Sequence, residues 1–355
     1  PHVQCRLRFR PSPANRVMSL NKLAAAAWLS VSLAGCSPSK NAPPPSVSAA
    51  PAPQEAARAP ATPVDWSSFD STSLRNPNDG SLRGGVALPL IAPGLRFNPA
   101  RNPDARYGTA EVVHALVRAA ERVERELGGL PVTINDLSLE RGGPIPRHRS
   151  HQSGRDVDVL FYQLDADGNP IESVGAFFDP LGAGVDFREL ADPADDVPLQ
   201  LDVPRTWLFV RALIEDGIAE LQNIYVAEHL RTLLLEHART TDAPPTLLGR
   251  FEALSCQPSY PHDDHFHFRF FCTADDIALG CRDSQPIYPW QRKLLREAGT
   301  HPLPLARKRE GSSAKVVTHE EARDAAGPMD PEVERWLDRR QAWIRKPHPG
   351  RTYCP

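Results

Sequence analysis

At 355 residues the chain is long enough to bury the core of one large domain or of two modest ones. Its 41 basic and 44 acidic residues leave a formal net charge of −3 and no long basic stripe, which argues against a nucleic-acid partner. The 37 prolines are unevenly spread, so the chain reads as a series of segments.

The first residue is Pro, and Met18 opens a more sensible start, which leaves 1–17 as untranslated upstream sequence. Residues 18–35 carry Lys22, a short apolar run from Leu23 to Leu33, then Ala34 and Gly35. A cation, a short apolar core and small residues are the parts of a secretory signal. That core is shorter than the ~20 residues a membrane-spanning helix needs. Leu33-Ala34-Gly35-Cys36 resembles a bacterial lipobox, in which Cys36 becomes the lipidated first residue; an ordinary signal peptide that happens to contain a Cys is the alternative. Ser37 rather than Asp after that Cys resembles the sorting pattern of outer-membrane lipoproteins, which implies a periplasmic, lipid-anchored protein. Residues 36–64 form a Pro-rich linker that would extend ~3.1 Å per residue where it is polyproline II. The folded domain is expected over 65–300, followed by a charged, Pro-punctuated tail over 301–355 with one helix near Glu332–Ile344.

Residues 109–127 predict a helix, because Val112, Leu116, Ala119, Val123 and Leu127 recur at spacings of three and four and Gly128-Gly129 follows. Val132 to Leu139 has strand chemistry, 205–216 reads as a second helix, Asn223 to Val226 as a short strand, and Glu228 to Ala238 as a third helix. Without regular β-α-β alternation the pattern favours an α+β domain. Outside Cys5 and Cys36, the four cysteines Cys256, Cys272, Cys281 and Cys354 read as two disulfides in an exported domain, with three pairings open. The nearness of Cys272 and Cys281 favours a local loop, leaving Cys256 with Cys354 to staple the tail.

Five of the 12 histidines fall in two segments, 147–158 and 261–270. The second alternates polar and aromatic residues, so a strand would put His265, His267 and Arg269 on one face over Phe266, Phe268 and Phe270 on the other. In the first, Asp156-Val157-Asp158-Val159-Leu160-Phe161 also reads as a strand, with both carboxylates on one face. Gly154 permits a turn tight enough to fold His151 back toward Asp158. A His and an Asp from this segment and a His from the other then give three protein ligands and a fourth position for water, the arrangement of a catalytic rather than a structural zinc. The helix-borne HExxH design is absent.

The strings His148-x-x-His151-Gln-x-Gly-x-Asp-x-Asp158 and His262-x-x-His265-x-His267 resemble those of the penicillin-insensitive murein endopeptidases, within the zinc peptidases grouped as lysostaphin, D-Ala-D-Ala peptidases and hedgehog-like domains. The likeness covers roughly 130–285, and Cys272 with Cys281 also resembles a disulfide pattern of that family. It implies a hedgehog-like zinc domain with a central antiparallel sheet flanked by helices. It also implies Zn(2+) on His151, Asp158 and His267, with His265 beside the water and the developing oxyanion and His262 and His148 lining the cleft. Related dipeptidases place a catalytic carboxylate where Asp264 stands; on an ideal strand Asp264 would point away from His267, which favours His265 and leaves Asp264 second. A second metal on His148 would need a downstream Asp-x-x-His, and the segment in place is Asp202-Val-Pro-Arg205, whose Arg cannot ligate. The implied reaction is hydrolysis of the D-alanyl–meso-diaminopimelyl cross-link between peptidoglycan stem peptides. Two readings compete with it. One is a D,D-carboxypeptidase or dipeptidase on the same site, with Arg147, Arg149, Arg155 or Arg269 taking the terminal carboxylate. The other is a non-catalytic peptidoglycan-binding lipoprotein.

Overall fold

The structure, a computed structural model, describes residues 70–186, 196–258, 260–303, 305, 319–329, 331–344 and 354. The upstream stretch 1–17, the signal segment 18–35, Cys36, the linker and parts of the 301–355 tail lie outside the described residues.

A hairpin, β1 (Thr72–Asn76) with β2 (Asp79–Arg83), comes first. Short strands follow: β3 (Val86–Ala87), β4 (Ile91–Ala92), β5 (Leu95–Phe97) and β6 (Tyr107–Gly108). After helix α1 (Ala110–Leu127) come β7 (Val132–Ile134) and β8 (Asp156–Leu160). Strands β9 (Gln163–Leu164), β10 (Pro170–Ile171), β11 (Ala176–Phe178), β12 (Ala183–Asp186) and β13 (Pro198–Leu201) make a small antiparallel sheet in the order β10-β9-β13-β12-β11. The chain continues through α2 (Val203–Glu215), β14 (Leu221–Tyr225), α3 (Glu228–Thr240), α4 (Pro245–Leu254), β15 (Ser255–Cys256) and β16 (His265–Phe270). Helices α5 (Ala274–Ala278), α6 (Pro289–Glu297), α7 (His319–Ala326) and α8 (Pro331–Ile344) complete the described elements.

The α+β expectation holds. The central sheet has seven strands in the order β15-β14-β16-β8-β7-β5-β4. It is antiparallel from β14 to β7, but β14 pairs with β15 and β5 with β7 in parallel, which corrects the expected antiparallel sheet. The cause is connectivity: α3 and α4 intervene between β14 and β15, and α1 between β5 and β7, as parallel neighbours require.

Helix α1 lies over the sheet through the predicted stripe, with Val112, Leu116, Ala119 and Val123 buried. Helix α2 adds Trp207, against Phe251 at 5.3 Å, and Phe209, against Phe268 at 6.2 Å. These contacts fill one side of the sheet with apolar side chains and leave the other for polar ones. The predicted strand Val132–Leu139 is shorter than expected. Beyond Ile134 the backbone wraps around Asp158, taking Asn135 N→Asp158 O at 2.8 Å and Asp158 N→Asp136 O at 3.0 Å. Both disulfides form as the cysteine spacing favours, Cys272–Cys281 and Cys256–Cys354.

One buried acid lies apart from the histidines. Asp276, on α5 within the Cys272–Cys281 loop, is driven up to about 7 from 3.8 by burial and then by the charge of Glu111 in the first turn of α1. The folded chain therefore keeps a proton that the unfolded chain has released, and this contribution to stability is lost as pH rises from about 3.8 to about 7. Asp276→Asn should abolish that loss. Calorimetry should give equal melting temperatures for the two proteins near pH 4 and a higher one for the variant at pH 8, by ~2–4 °C for each kcal/mol regained.

Candidate metal centre

The register of two strands builds the site. Across β8 and β16, Asp158 stands opposite His267, Asp156 opposite Arg269, and Leu160 opposite His265. Directly opposed residues on antiparallel neighbours share a face, so the period-two alternation of both motifs produces one polar surface. Behind it Val157, Val159, Phe266 and Phe268 are buried, with Phe266 4.7 Å from Phe161 and 5.0 Å from Phe268 between ring centroids. The imidazoles are thereby mounted on a packed layer.

His151 enters from the preceding loop. Its backbone is left-handed at φ 66°, a region costly for a side-chain-bearing residue, and its N–H donates to Asp156 Oδ2 at 3.3 Å. Its Nδ1 donates to the Leu137 carbonyl at 2.8 Å, which fixes the tautomer and leaves Nε2, 3.4 Å from Asp158 Oδ1, with its lone pair free. Gly154 turns the chain at φ 76°, where a Cβ would lie 2.9 Å from the Leu82 side chain and 3.1 Å from Thr109 N. Only glycine fits this approach.

His267 stands between two carboxylates, with Nδ1 3.1 Å from Asp158 Oδ1 and Nε2 3.3 Å from Asp156 Oδ2. His148 joins them, its Nε2 3.0 Å from Asp136 Oδ2 and its Nδ1 3.6 Å from Asp158 Oδ2. One ligand atom each from His148, His151 and Asp158 lies within 4.8 Å of the others, and the His267 ring centroid is 4.8 Å from that of His151. The structure thus gathers the predicted trio and brings His148 into the same cluster. Three buried atoms there, His151 Nε2, Asp158 Oδ1 and His267 Nε2, have no hydrogen-bond partner. The orphaned Nε2 of His151 beside the unsatisfied Asp158 Oδ1, with His267 Nδ1 3.1 Å from the same oxygen, is a donor set that fits a divalent transition metal, while His267 Nε2 faces Asp156.

Charge is concentrated at this point. Burial opposes ionisation of Asp156 and Asp158, yet Arg269 and His267 hold the first, and His151 and His265 the second, well below the usual carboxylate range. Burial likewise disfavours the charged form of His265, but Asp264 and then Asp158 carry its pKa up to about 9. A bound cation would act in the opposite direction. Asp264, in the turn before β16, accepts from His265 Nδ1 at 2.8 Å, so the carboxylate considered as a catalyst orients the neighbouring imidazole. The other ring nitrogen of His265 is 3.7 Å from Asp158 Oδ1. His262, its ring 4.9 Å from that of His265, is pushed down to about 3 by burial and then by the charges on His265 and His267.

Of the four arginines considered for a substrate carboxylate, Arg155 is buried against Asp283 at 2.8 Å and Arg269 binds Asp156 through two nitrogens at 2.8 and 2.9 Å. Arg147 and Arg149 are exposed. Asp202, considered for a second metal, caps α2 and pairs with Arg205 at 2.5 Å. The sequence reading missed Asp136, which holds His148, the Leu137 carbonyl, and Tyr225, which stands opposite His267 on β14 with ring centroids 5.3 Å apart. No local signature marks these residues, because each becomes a neighbour only through the fold.

Residues 74–173 match the family model of the penicillin-insensitive murein endopeptidases. The resemblance is therefore borne out for the first histidine string, over a segment that begins earlier than roughly 130 and that holds His148, His151, Asp156 and Asp158. The His262–His267 string lies beyond that match. No curated protein matches the chain.

Replacing Asp156 by Asn should keep the fold while weakening metal retention about 10–100-fold, the usual effect of losing a carboxylate that orients a ligating histidine. His151→Ala should lose stoichiometric metal outright. Dialysis against a graded chelator followed by elemental analysis checks both, and equal retention by Asp156→Asn and the parent protein would remove Asp156 from that role.

Proposed function

We propose that this chain is a zinc-dependent endopeptidase of peptidoglycan that cuts the D-alanyl–meso-diaminopimelyl cross-link between stem peptides. The observation that carries the reading is the meeting at Asp158 of two distant histidine strings, one of them inside the murein-endopeptidase match. In this reading His151 Nε2, Asp158 and a ring nitrogen of His267 hold the metal, and His148 stands at its edge. Zinc bound there would polarise the scissile carbonyl and lower the pKa of a water toward neutrality.

The chain's own groups supply the rest. Leu137 and Asp156 fix the orientations of His151 and His267 from behind. Asp264 holds the Nδ1 of His265, so the free Nε2 can stabilise the oxyanion that forms at the carbonyl and hand a proton to the leaving amine. His262, kept neutral and donating from Nδ1 to the Tyr260 carbonyl, offers Nε2 as a hydrogen-bond acceptor in the same cleft. Export, a lipid anchor at Cys36 and the Pro-rich linker would let the domain reach the wall from the outer membrane.

A carboxypeptidase on the same site needs a cation for the terminal carboxylate; Arg155 and Arg269 are engaged with acidic partners, which leaves the exposed Arg147 and Arg149 for that role. A wall-binding protein without catalysis has no use for an imidazole oriented by a carboxylate beside the metal ligands.

Metal-loaded protein should convert cross-linked muropeptide dimers to monomers, and chelation or His151→Ala should stop it. His265→Ala should lower kcat by about 10²–10⁴-fold with metal retained. Removal of terminal D-Ala from monomers with dimers left intact would replace the endopeptidase reading by the carboxypeptidase one, and binding to sacculi without any cleavage would overturn the enzyme reading.

A further inference from the structure

The turn that carries His262 and Asp264 is held from the far end of the chain. Asp263, between them, is fully buried, and both of its carboxylate oxygens accept from Arg340 on α8, Oδ2 from Nε at 2.7 Å and Oδ1 from the terminal nitrogen at 2.5 Å. The same guanidinium lies 4.2 Å from the centre of the Phe177 ring, and the Asp263 carbonyl accepts from Phe178 N at 3.0 Å. Helix α8 is itself tied down beside this point. Trp336 packs on Phe177 at 5.3 Å, Gln257 donates to the Ile344 carbonyl at 3.1 Å, and the Cys256–Cys354 disulfide with Cys354 N→Gln257 O at 2.9 Å anchors the chain after the helix.

We infer that Arg340 is a positioning residue, clamping Asp263 so that the turn before β16 presents His262 and the Asp264–His265 pair to the metal cluster. The functional half of this inference rests on the peptidase reading given above. A planar fork meeting both oxygens of a carboxylate fixes direction as well as distance. Without the cation, the buried carboxylate would have to turn toward water. His262 and Asp264 are its immediate neighbours, and His262 already holds a left-handed backbone at φ 55°. The Arg340–Asp263 pair lies on the turn before β16 and not on His151, Asp158 or His267, so the clamp acts on the second-motif turn and not on metal capture.

The test uses the full chain and four variants: Arg340→Ala, Arg340→Lys, Asp263→Asn and, as control, Arg323→Ala. Arg323 pairs at 2.8 Å with the exposed Asp338 and does not reach Asp263. Hydrogen exchange of amides 262–265 and kcat and KM on a cross-linked muropeptide are measured together. Arg340→Ala should speed exchange at 262–265, retain one metal, and lower kcat about 10–100-fold with a smaller change in KM, as displacement of a catalytic group by about an ångström does. Methylguanidinium should restore part of that kcat, Arg340→Lys should fall between, and Arg323→Ala should match the parent. Unchanged exchange at 262–265 in Arg340→Ala overturns the inference, and so does faster exchange spread evenly over the domain. If Arg340→Ala does not fold, the folded Arg340→Lys and Asp263→Asn proteins decide by the same local exchange. If the parent cleaves no muropeptide, the peptidase reading has failed, and the exchange result still decides whether Arg340 holds the turn.

Discussion

A carboxylate withdrawn from water has to be met by positive or hydrogen-bonding partners, and in this protein that demand falls on Asp158. Imidazoles from His148, His151, His265 and His267 all come within 3.1 to 3.7 Å of its oxygens. Four imidazoles around one buried acid do little for stability by themselves, since burying such groups costs desolvation that pairing only partly offsets. The arrangement makes physical sense as a site kept for a cation. The rest of the fold follows from holding it: a strand pair in fixed register, an aromatic layer behind, and a loop that brings His151 in under backbone strain.

Asp156 extends the same logic outward. It stands one pleat along β8 from Asp158, faces the same way, and touches Arg269, His267 and the backbone of His151. One buried carboxylate thus fixes a member of each histidine motif and is itself neutralised by Arg269. Deletion of its charge would leave His151 and His267 in the chain but free them to turn.

Much of this was readable because alternation and spacing are local properties. The helices at 109–127, 205–216 and 228–238 appear with ends shifted by only a few residues, since each carries an apolar stripe of its own. The meeting of Asp158 with His267 was legible because two strands with period-two patterns admit few ways of pairing polar faces, and Gly154 marked the turn that brings His151 back to them. The two- to four-residue strands of the small sheet were not foreseen, being too short to establish a period. Nor was the direction of the flanking strands, which is decided by helical crossovers. Asp136 and Leu137 act on His148 and His151 across 12 and 14 residues, with nothing in their own surroundings to mark them. The helix near Glu332–Ile344 was visible as a helix, but its contact with Asp263 spans 77 residues and no sequence pattern announces it.

The central claim is that one metal ion joins the two histidine strings. Anomalous diffraction at the zinc edge, on crystals of protein refolded with a single equivalent of zinc, tests it most directly. One strong peak is expected, about 2.0–2.2 Å from His151 Nε2, an Asp158 oxygen and a ring nitrogen of His267. A peak held by His148 and surface groups without His267, or no peak between the two strands, would contradict it.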